Sequence, residues 1–326
     1  MLHCLKNSSI RLHLRRNFVN FNRWCWVLVK NLEGHKIIIT GANSGIGYEA
    51  AKSLSKSGAE VILAVRNEEK GKVAAESIVK EVAQAKVAVI RLDLADLTSV
   101  RDFVENYKKR YDSLHILINN AGVMLPPYGL TKDGFELQFG SNHLGHFALT
   151  GLLLQLLKNT PQSRVVSLSS IAHRGASIDF NNLDGSKGYK GMKFYGQSKL
   201  ANLLFSKELD NRLKEHELPT ISLACHPGIS STNLFKLGKR DAPGYLKALM
   251  KVFFQPADMG ALPAIYSATE SSLNGGEYIG PDGRGNRKGN PTIETPAPGV
   301  YNTEIMKKLW EVSEKLTGVT YDFSKI

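Results

Sequence analysis

Short apolar runs recur along the chain, and stretches with a helical repeat separate them. Lys36–Thr40, Glu60–Val65 and residues 87–92, 116–118, 164–168 and 221–224 are rich in Ile, Val, Leu and Ala, with little polar alternation, and residues 275–280 read as a last strand. A strand that is apolar on both sides of its pleat is covered on both faces, as in a parallel sheet. Residues 48–57, 68–83 and 99–111 carry the helical repeat between the first strands. The alternation predicts an α/β chain: a single-domain Rossmann-type doubly wound parallel sheet, helices on both faces, right-handed crossovers. After residue 280 the pattern weakens. Residues 281–298 are dense in Gly and Pro and read as a long loop, and residues 302–317 read as an amphipathic tail helix with Leu309, Trp310, Val312 and Leu316 on one side.

In such sheets ligands bind beyond the carboxyl ends of the strands, and there the sequence concentrates its chemistry. The first strand runs into Gly41-Ala42-Asn43-Ser44-Gly45-Ile46-Gly47 and then a helix. Strand, glycine turn and helix make a phosphate site, because glycines admit a close backbone approach and a helix start offers free amides and a positive dipole. A plain tight turn is the alternative. The second strand ends at Val65-Arg66-Asn67 with no carboxylate. An acid at that tip would bind a ribose 2′-hydroxyl, whereas an arginine suits a 2′-phosphate, so the tip favours NADP(H), with NAD(H) as the alternative. Asp93-Leu94 and Asn119-Asn120-Ala121-Gly122 end the next two strands.

Composition changes this picture little. The 326 residues are 42% hydrophobic and 22% charged, which suits one large domain. Net charge is +12, and six basic side chains against one acid fall within residues 1–33. We divide the chain into a basic leader, residues 1–33, and a domain, residues 34–326. The apolar stretch at residues 24–29 is far below the ~20 residues that span a bilayer. The leader has three readings: a mitochondrial-type presequence, a peripheral contact with anionic membrane, or an extension with no address. The predicted location is accordingly intracellular, cytoplasmic first, with mitochondrial or membrane-associated placement tied to the leader. No basic-aromatic stripe points to nucleic acid. Cys4, Cys25 and Cys225 show no metal or redox spacing, and an odd, sparse count suits a reducing compartment. His143, His146, His173 and His226 lack ligand spacing, so no metal is expected.

Tyr195-Gly196-Gln197-Ser198-Lys199 places a phenol and an amine one helical turn apart. An adjacent ammonium is expected to lower the phenol's pKa and fit it for proton transfer. Such a pair is more often an ordinary surface contact, and its weight comes from the upstream motifs. Thr40-Gly41-Ala42-Asn43-Ser44-Gly45-Ile46-Gly47, Asn119-Asn120-Ala121-Gly122 and Tyr195-x-x-x-Lys199 together resemble the short-chain dehydrogenase/reductase family over about residues 34–280. Asn142-His143-Leu144-Gly145-His146-Phe147 and Ser198-Lys199-Leu200-Ala201-Asn202 make the chain most similar to the retinol dehydrogenase and WW-domain oxidoreductase branch, here without WW domains.

The resemblance implies a tetrad of Asn142, Ser170, Tyr195 and Lys199, with Ser169 as the alternative serine. Tyr195 would exchange the proton, Ser170 would polarise the substrate oxygen, and Asn142 would hold a water beside Lys199. Lys199 would also bind the nicotinamide ribose. Cofactor contacts are expected from Gly41, Asn43, Ser44, Gly45, Ile46, Gly47, Arg66, Asp93, Leu94, Asn120, Ala121, Gly122, Tyr195, Lys199, Pro227, Gly228, Ile229 and Thr232. The implied substrate is a lipophilic carbonyl or alcohol, covered by the apolar stripe Leu246, Leu249, Met250, Val252, Phe253 and Phe254. Residues 177–193 read as an inserted loop beside the cleft. Members of the family often form homo-oligomers, which the resemblance therefore admits. A non-catalytic dinucleotide-binding interaction protein is the rival class.

Overall fold

The computed structural model of the chain describes residues 31–229 and 255–325. The leader up to residue 30, Thr232 and the apolar stripe from Leu246 to Phe254 lie outside the described residues.

Eight strands form one sheet in the order β3-β2-β1-β4-β5-β6-β7-β8. They are β1 (Lys36–Thr40), β2 (Glu60–Val65), β3 (Lys86–Arg91), β4 (Ile116–Asn119), β5 (Arg164–Leu168), β6 (Ile221–Cys225), β7 (Tyr278–Pro281) and β8 (Pro291–Glu294). Every pairing is parallel except β7 with β8. The helices are α1 (Gly45–Lys56), α2 (Glu68–Glu81), α3 (Leu97–Lys108), α4 (Leu137–Phe139), α5 (Gly145–Lys158), α6 (Gly191–Glu215), α7 (Ala257–Thr269) and α8 (Thr303–Thr317). A π-helical segment, Gly140–Leu144, joins α4 to α5.

The uninterrupted apolar strands are explained by cover on both sides. Ile37 and Ile39 join the core under α1, α2 and α7, while Ile38 between them joins the core under α3, α5 and α6. Val61 and Leu63 alternate with Ile62 and Ala64 in the same way. The strand order reverses between β1 and β4, and such a switch point opens a crevice above the sheet edge.

Three expectations are corrected. Helix α1 starts at Gly45, inside the glycine turn, rather than at residue 48. Residues 281–298 are not all loop: β8 runs antiparallel to β7. Its Pro291 stands at the start of an edge strand, where a missing N–H is tolerated. The inserted loop ends earlier than expected, because α6 begins at Gly191. Its backbone is tied to the domain by Asp179 N–H on Gln197 Oε1 (2.9 Å), and Tyr189 donates to the Pro126 carbonyl (2.7 Å). The tail helix docks as expected. Leu309 and Trp310 are buried, and Trp310 packs with Phe147 and Tyr321 at ring separations of 5.2 and 4.5 Å. Among the described residues no helix is long and apolar enough to cross a membrane.

Candidate active site

A cleft of about 370 Å³ opens along the carboxyl ends of the strands. The glycine turn, Arg66, Asp93, Leu94, Asn120, Ala121 and Gly122 line it, and Tyr195, Lys199 and Pro227 line it too. The turn can only be built this way. Gly41 has φ +67° and Gly45 φ +59°, left-handed values that suit glycine. A Cβ on Gly47 would lie 2.5 Å from Asn120 Nδ2 and 2.8 Å from the Gly41 carbonyl. At the head of α1, Ser44 makes no side-chain cap bond. By contrast Asn67 and Asp96 cap α2 and α3 with their own oxygens. The α1 amides are thus left to an anion, the property a phosphate cradle needs. Arg66 projects, exposed, from the tip of β2.

The other end of the cleft is polar and almost closed. Tyr195 and Lys199 lie one turn apart on α6, with the Lys199 Nζ 5.8 Å from the Tyr195 ring centroid. The Lys199 ammonium donates to the Leu168 carbonyl (3.2 Å), which also accepts from Asn202 (3.0 Å). Ser169 donates to the Lys199 carbonyl (2.8 Å) and is buried, so its hydroxyl is committed to holding α6. Ser170 caps the short turn Ile171–His173, its Oγ accepting from Ala172 N–H (3.2 Å), and its hydroxyl acts on the Tyr195 phenol.

The expected depression of the Tyr195 pKa is corrected. Burial dominates and pushes the phenol up, while the Ser170 bond pulls it partly back. Burial acts on the amine in the opposite sense and lowers Lys199 to about 8. Both groups resist their charged forms for the same reason, loss of water. The member of the pair with a pKa near neutrality is therefore the lysine, not the tyrosine.

Asn142 sits in the π-helical segment, and its polar atoms are engaged. Its Oδ1 accepts from Val123 N–H (2.8 Å), and its Nδ2 donates to the Val123 carbonyl and to Ser198 Oγ (both 3.0 Å). Its carbonyl accepts from His146 Nδ1 (2.8 Å). A π turn at a functional site often re-aims one residue in this way.

Two residues outside the expected set of catalytic and cofactor contacts, Thr40 and His146, join the halves of the cleft. With His146 Nδ1 protonated toward Asn142, its Nε2 must accept, and the Thr40 hydroxyl donates to it (2.8 Å). The Thr40 oxygen then accepts the amides of Asn120 and Ala121 (both 2.9 Å). Asn120 in turn donates to the Thr40 carbonyl (2.7 Å). The only signal in sequence was position: Thr40 precedes the glycine turn, and His146 lies one helical turn beyond Asn142.

Burial lowers His146 to about 4 and His143 to about 3. The unfolded chain takes up protons below about pH 6.5 that the folded chain refuses, so this stability is complete above that pH and is lost as pH falls toward 4. Between pH 7 and 5 each such histidine costs about 2 kcal/mol. Urea unfolding of His146→Gln is expected to fall by about that much less than the parent over this range. Equal falls would mean that His146 is already protonated in the fold.

Most expected residues are brought together. Ser170, Asn142, Gly228 and Ile229 are not among the residues that line the cleft, whereas Ser169, the alternative serine, is; Thr232 lies outside the described residues. Among the described residues no group of three or more His, Cys, Asp or Glu is placed to hold a metal ion.

The chain is similar to known proteins. Residues 35–242 match the family described as short chain dehydrogenase. Retinol dehydrogenase 11 of Mus musculus is 41% identical over 90% of this chain and 89% of its own length. Retinol dehydrogenase 13 of the same species is 39% identical over 88% and 85%. A crystal structure of an uncharacterized protein from Mycobacterium paratuberculosis superimposes with a TM-score of 0.75 at 39% identity, over 90% of this chain and 97% of that one. A Shigella flexneri short chain dehydrogenase complexed with NADP, 22% identical, shares the fold with a TM-score of 0.59 over 76% and 97%. A matching family over most of the chain, close relatives along nearly its full length, and a Tyr195–Lys199 pair facing a glycine cradle agree: the chain belongs to the short-chain dehydrogenase family.

Proposed function

We propose that the chain is an NADP(H)-dependent oxidoreductase acting on the carbonyl or alcohol of a lipophilic small molecule. The observation that carries this reading is the cleft itself. It has a glycine cradle and Arg66 at one end and a buried phenol and amine at the other, with the Ser170 hydroxyl acting on the phenol. The cradle fits a dinucleotide: a Cβ at Gly47 would fill it, and the Ser44 side chain leaves the α1 amides free. The amides of the glycine turn would hold the pyrophosphate, Arg66 the 2′-phosphate, and Lys199 the nicotinamide ribose. When bound, the nicotinamide supplies or accepts the hydride.

The chain's own residues handle the proton. In reduction Tyr195 gives its proton to the substrate oxygen, which Ser170 orients through a hydrogen bond. Lys199, lowered to about 8, restores that proton. We assign Asn142 a positioning role rather than a water-holding one, because its side chain clamps Ser198 of α6 to the backbone of Val123.

A lipophilic substrate is supported by exposed apolar side chains. Leu125, Tyr128, Leu130 and Met192 are exposed, and Met192 lies one turn before Tyr195 on α6. The related retinol dehydrogenases carry the name of such a substrate.

The direct test is NADPH oxidation at 340 nm over a panel of aldehydes and ketones. Turnover of apolar members is expected. A folded protein that binds NADPH and turns over none of them would point to a non-catalytic dinucleotide-binding protein. Arg66→Ala tests the cofactor. Loss of a charge-assisted contact to phosphate is worth about 1.5–3 kcal/mol, so KM for NADPH should rise at least tenfold while KM for NADH stays unchanged. An unmoved NADPH KM would favour the NAD(H) alternative.

A further inference from the structure

The β7–β8 hairpin meets two turns at the cleft. One carries Ser170 and continues through Ile171–His173 to Arg174. The other is His226-Pro227-Gly228-Ile229 at the end of β6, and its Pro227 lines the cleft with Tyr195 and Lys199. Glu294, the last residue of β8, touches both. Its Oε2 accepts from His226 Nε2 (2.7 Å), and its Oε1 accepts from the Arg174 guanidinium (2.8 Å).

The tautomer is fixed by the neighbouring bond. Gly228 N–H donates to His226 Nδ1 (3.2 Å), so Nδ1 is the acceptor and Nε2 carries the proton to Glu294. Arg174 also donates to Asn286 Oδ1 (2.8 Å) and the Gly285 carbonyl (3.3 Å) within the hairpin. The hairpin holds the second turn again through Ile229 N–H on the Arg287 carbonyl (2.7 Å). On the serine side, His173 Nδ1 donates to the Ser170 carbonyl (2.7 Å). Burial raises the Glu294 carboxyl, but the hydrogen bonds from His226 and Arg174 outweigh it and hold the group below its usual range. The carboxylate is therefore charged, with Glu294 and His226 both largely shielded from water.

The backbone is built around this contact. A Cβ on Gly280 would lie 2.1 Å from His226 Nε2 and 2.6 Å from Glu294 Oε2. Only a glycine at that point of β7 lets the pair close across the strand.

We propose that Glu294 is a positioning residue: by bridging His226 and Arg174 it locks the Pro227–Gly228 turn and the Ser170 turn to one rigid hairpin, and so sets the nicotinamide end of the cleft against the catalytic serine. This rests on the dinucleotide reading of the cleft. The hairpin is remote from the glycine cradle at β1, so the phosphate end is served by other residues.

The test compares two ligands. NADPH spans the whole cleft, whereas adenosine 2′,5′-bisphosphate reaches only the cradle and the Arg66 end. In Glu294→Ala, Kd for NADPH is expected to rise at least tenfold and kcat for the best aldehyde to fall at least tenfold. Kd for adenosine 2′,5′-bisphosphate should change less than twofold. Gly280→Ala should reproduce this pattern by forcing the same pair apart with all its side chains present. Glu294→Gln, which keeps one of the two acceptors, should fall between. Unchanged NADPH binding and kcat in Glu294→Ala would overturn the proposal. So would equal weakening of both ligands, which would mark a general loss of structure. If Arg66 does not select the phosphate, NADH and 5′-AMP give the same comparison. Failure of the dinucleotide reading itself would show earlier, as a parent protein that binds neither dinucleotide, and the proposal would fall with it.

Discussion

Tyr195→Phe is expected to reduce its preferred carbonyl about a thousandfold more slowly than the parent, with NADPH affinity and fold retained. The size follows from losing a positioned general acid, worth roughly 10²–10⁴ in rate. Retention of fold follows from burial. Tyr195 is 7% exposed and the aromatic ring fills the site, so phenylalanine leaves no cavity. The variant loses one hydroxyl, and Ser170 keeps its contact to Ala172 N–H (3.2 Å). Steady-state assay at 340 nm and equilibrium NADPH titration read the two halves separately. Parent-like turnover in the variant would end the proton-donor assignment.

Lys199→Met is expected to lose turnover on a similar scale while the protein becomes more stable. Burial has lowered the amine from 10.5 to about 8, so the folded state binds its proton less well than the unfolded chain does. For a group depressed in this sense, stability is full above the unfolded value and is lost as pH falls from about 10.5 to 8. At pH 7 the loss is complete and amounts to about 3 kcal/mol. Methionine fills nearly the same volume without the charge and removes that penalty, offset in part by the lost bond to the Leu168 carbonyl. A rise in Tm of several degrees at pH 7, shrinking as the pH approaches 10, is the expected result. Carbonyl reduction by the parent should also decline as pH rises through about 8, where Lys199 loses the proton it must pass on. Equal stability of variant and parent at pH 7 would show that the lysine is not desolvated. Such sites commonly give up stability for function.

The two variants separate roles that sequence reading had merged. From spacing alone, Lys199 acts on Tyr195 by making it acidic. In the fold both groups are nearly closed off from water, and that shared burial outweighs their mutual influence. In the proposed reaction the tyrosine exchanges the proton, but the group tuned toward neutral pH is the lysine. The choice between Ser169 and Ser170 has a similar origin. Adjacent residues leave a strand end in opposite directions, so the Ser169 hydroxyl turns back to the Lys199 carbonyl, while the Ser170 hydroxyl accepts from Ala172 N–H and acts on the phenol.

What the sequence determined by itself is the local chemistry of the strand ends. Unbroken Ile and Val runs require cover on both faces, Gly41 and Gly45 supply the left-handed backbone that a phosphate turn needs, and Tyr195 and Lys199 share a helix face by their spacing. These are properties of a few consecutive residues and do not depend on the rest of the chain. Strand β8 escaped because Gly and Pro around it mask a segment whose partner, β7, is what makes it a strand. Only the tertiary structure decided which distant groups meet. His146 reaches Thr40 across 106 residues, and Glu294 reaches His226 across 68 and Arg174 across 120. It also decided the direction of each buried pKa. Desolvation and long-range hydrogen bonds depend on packing from every side, and no short stretch of sequence carries that information.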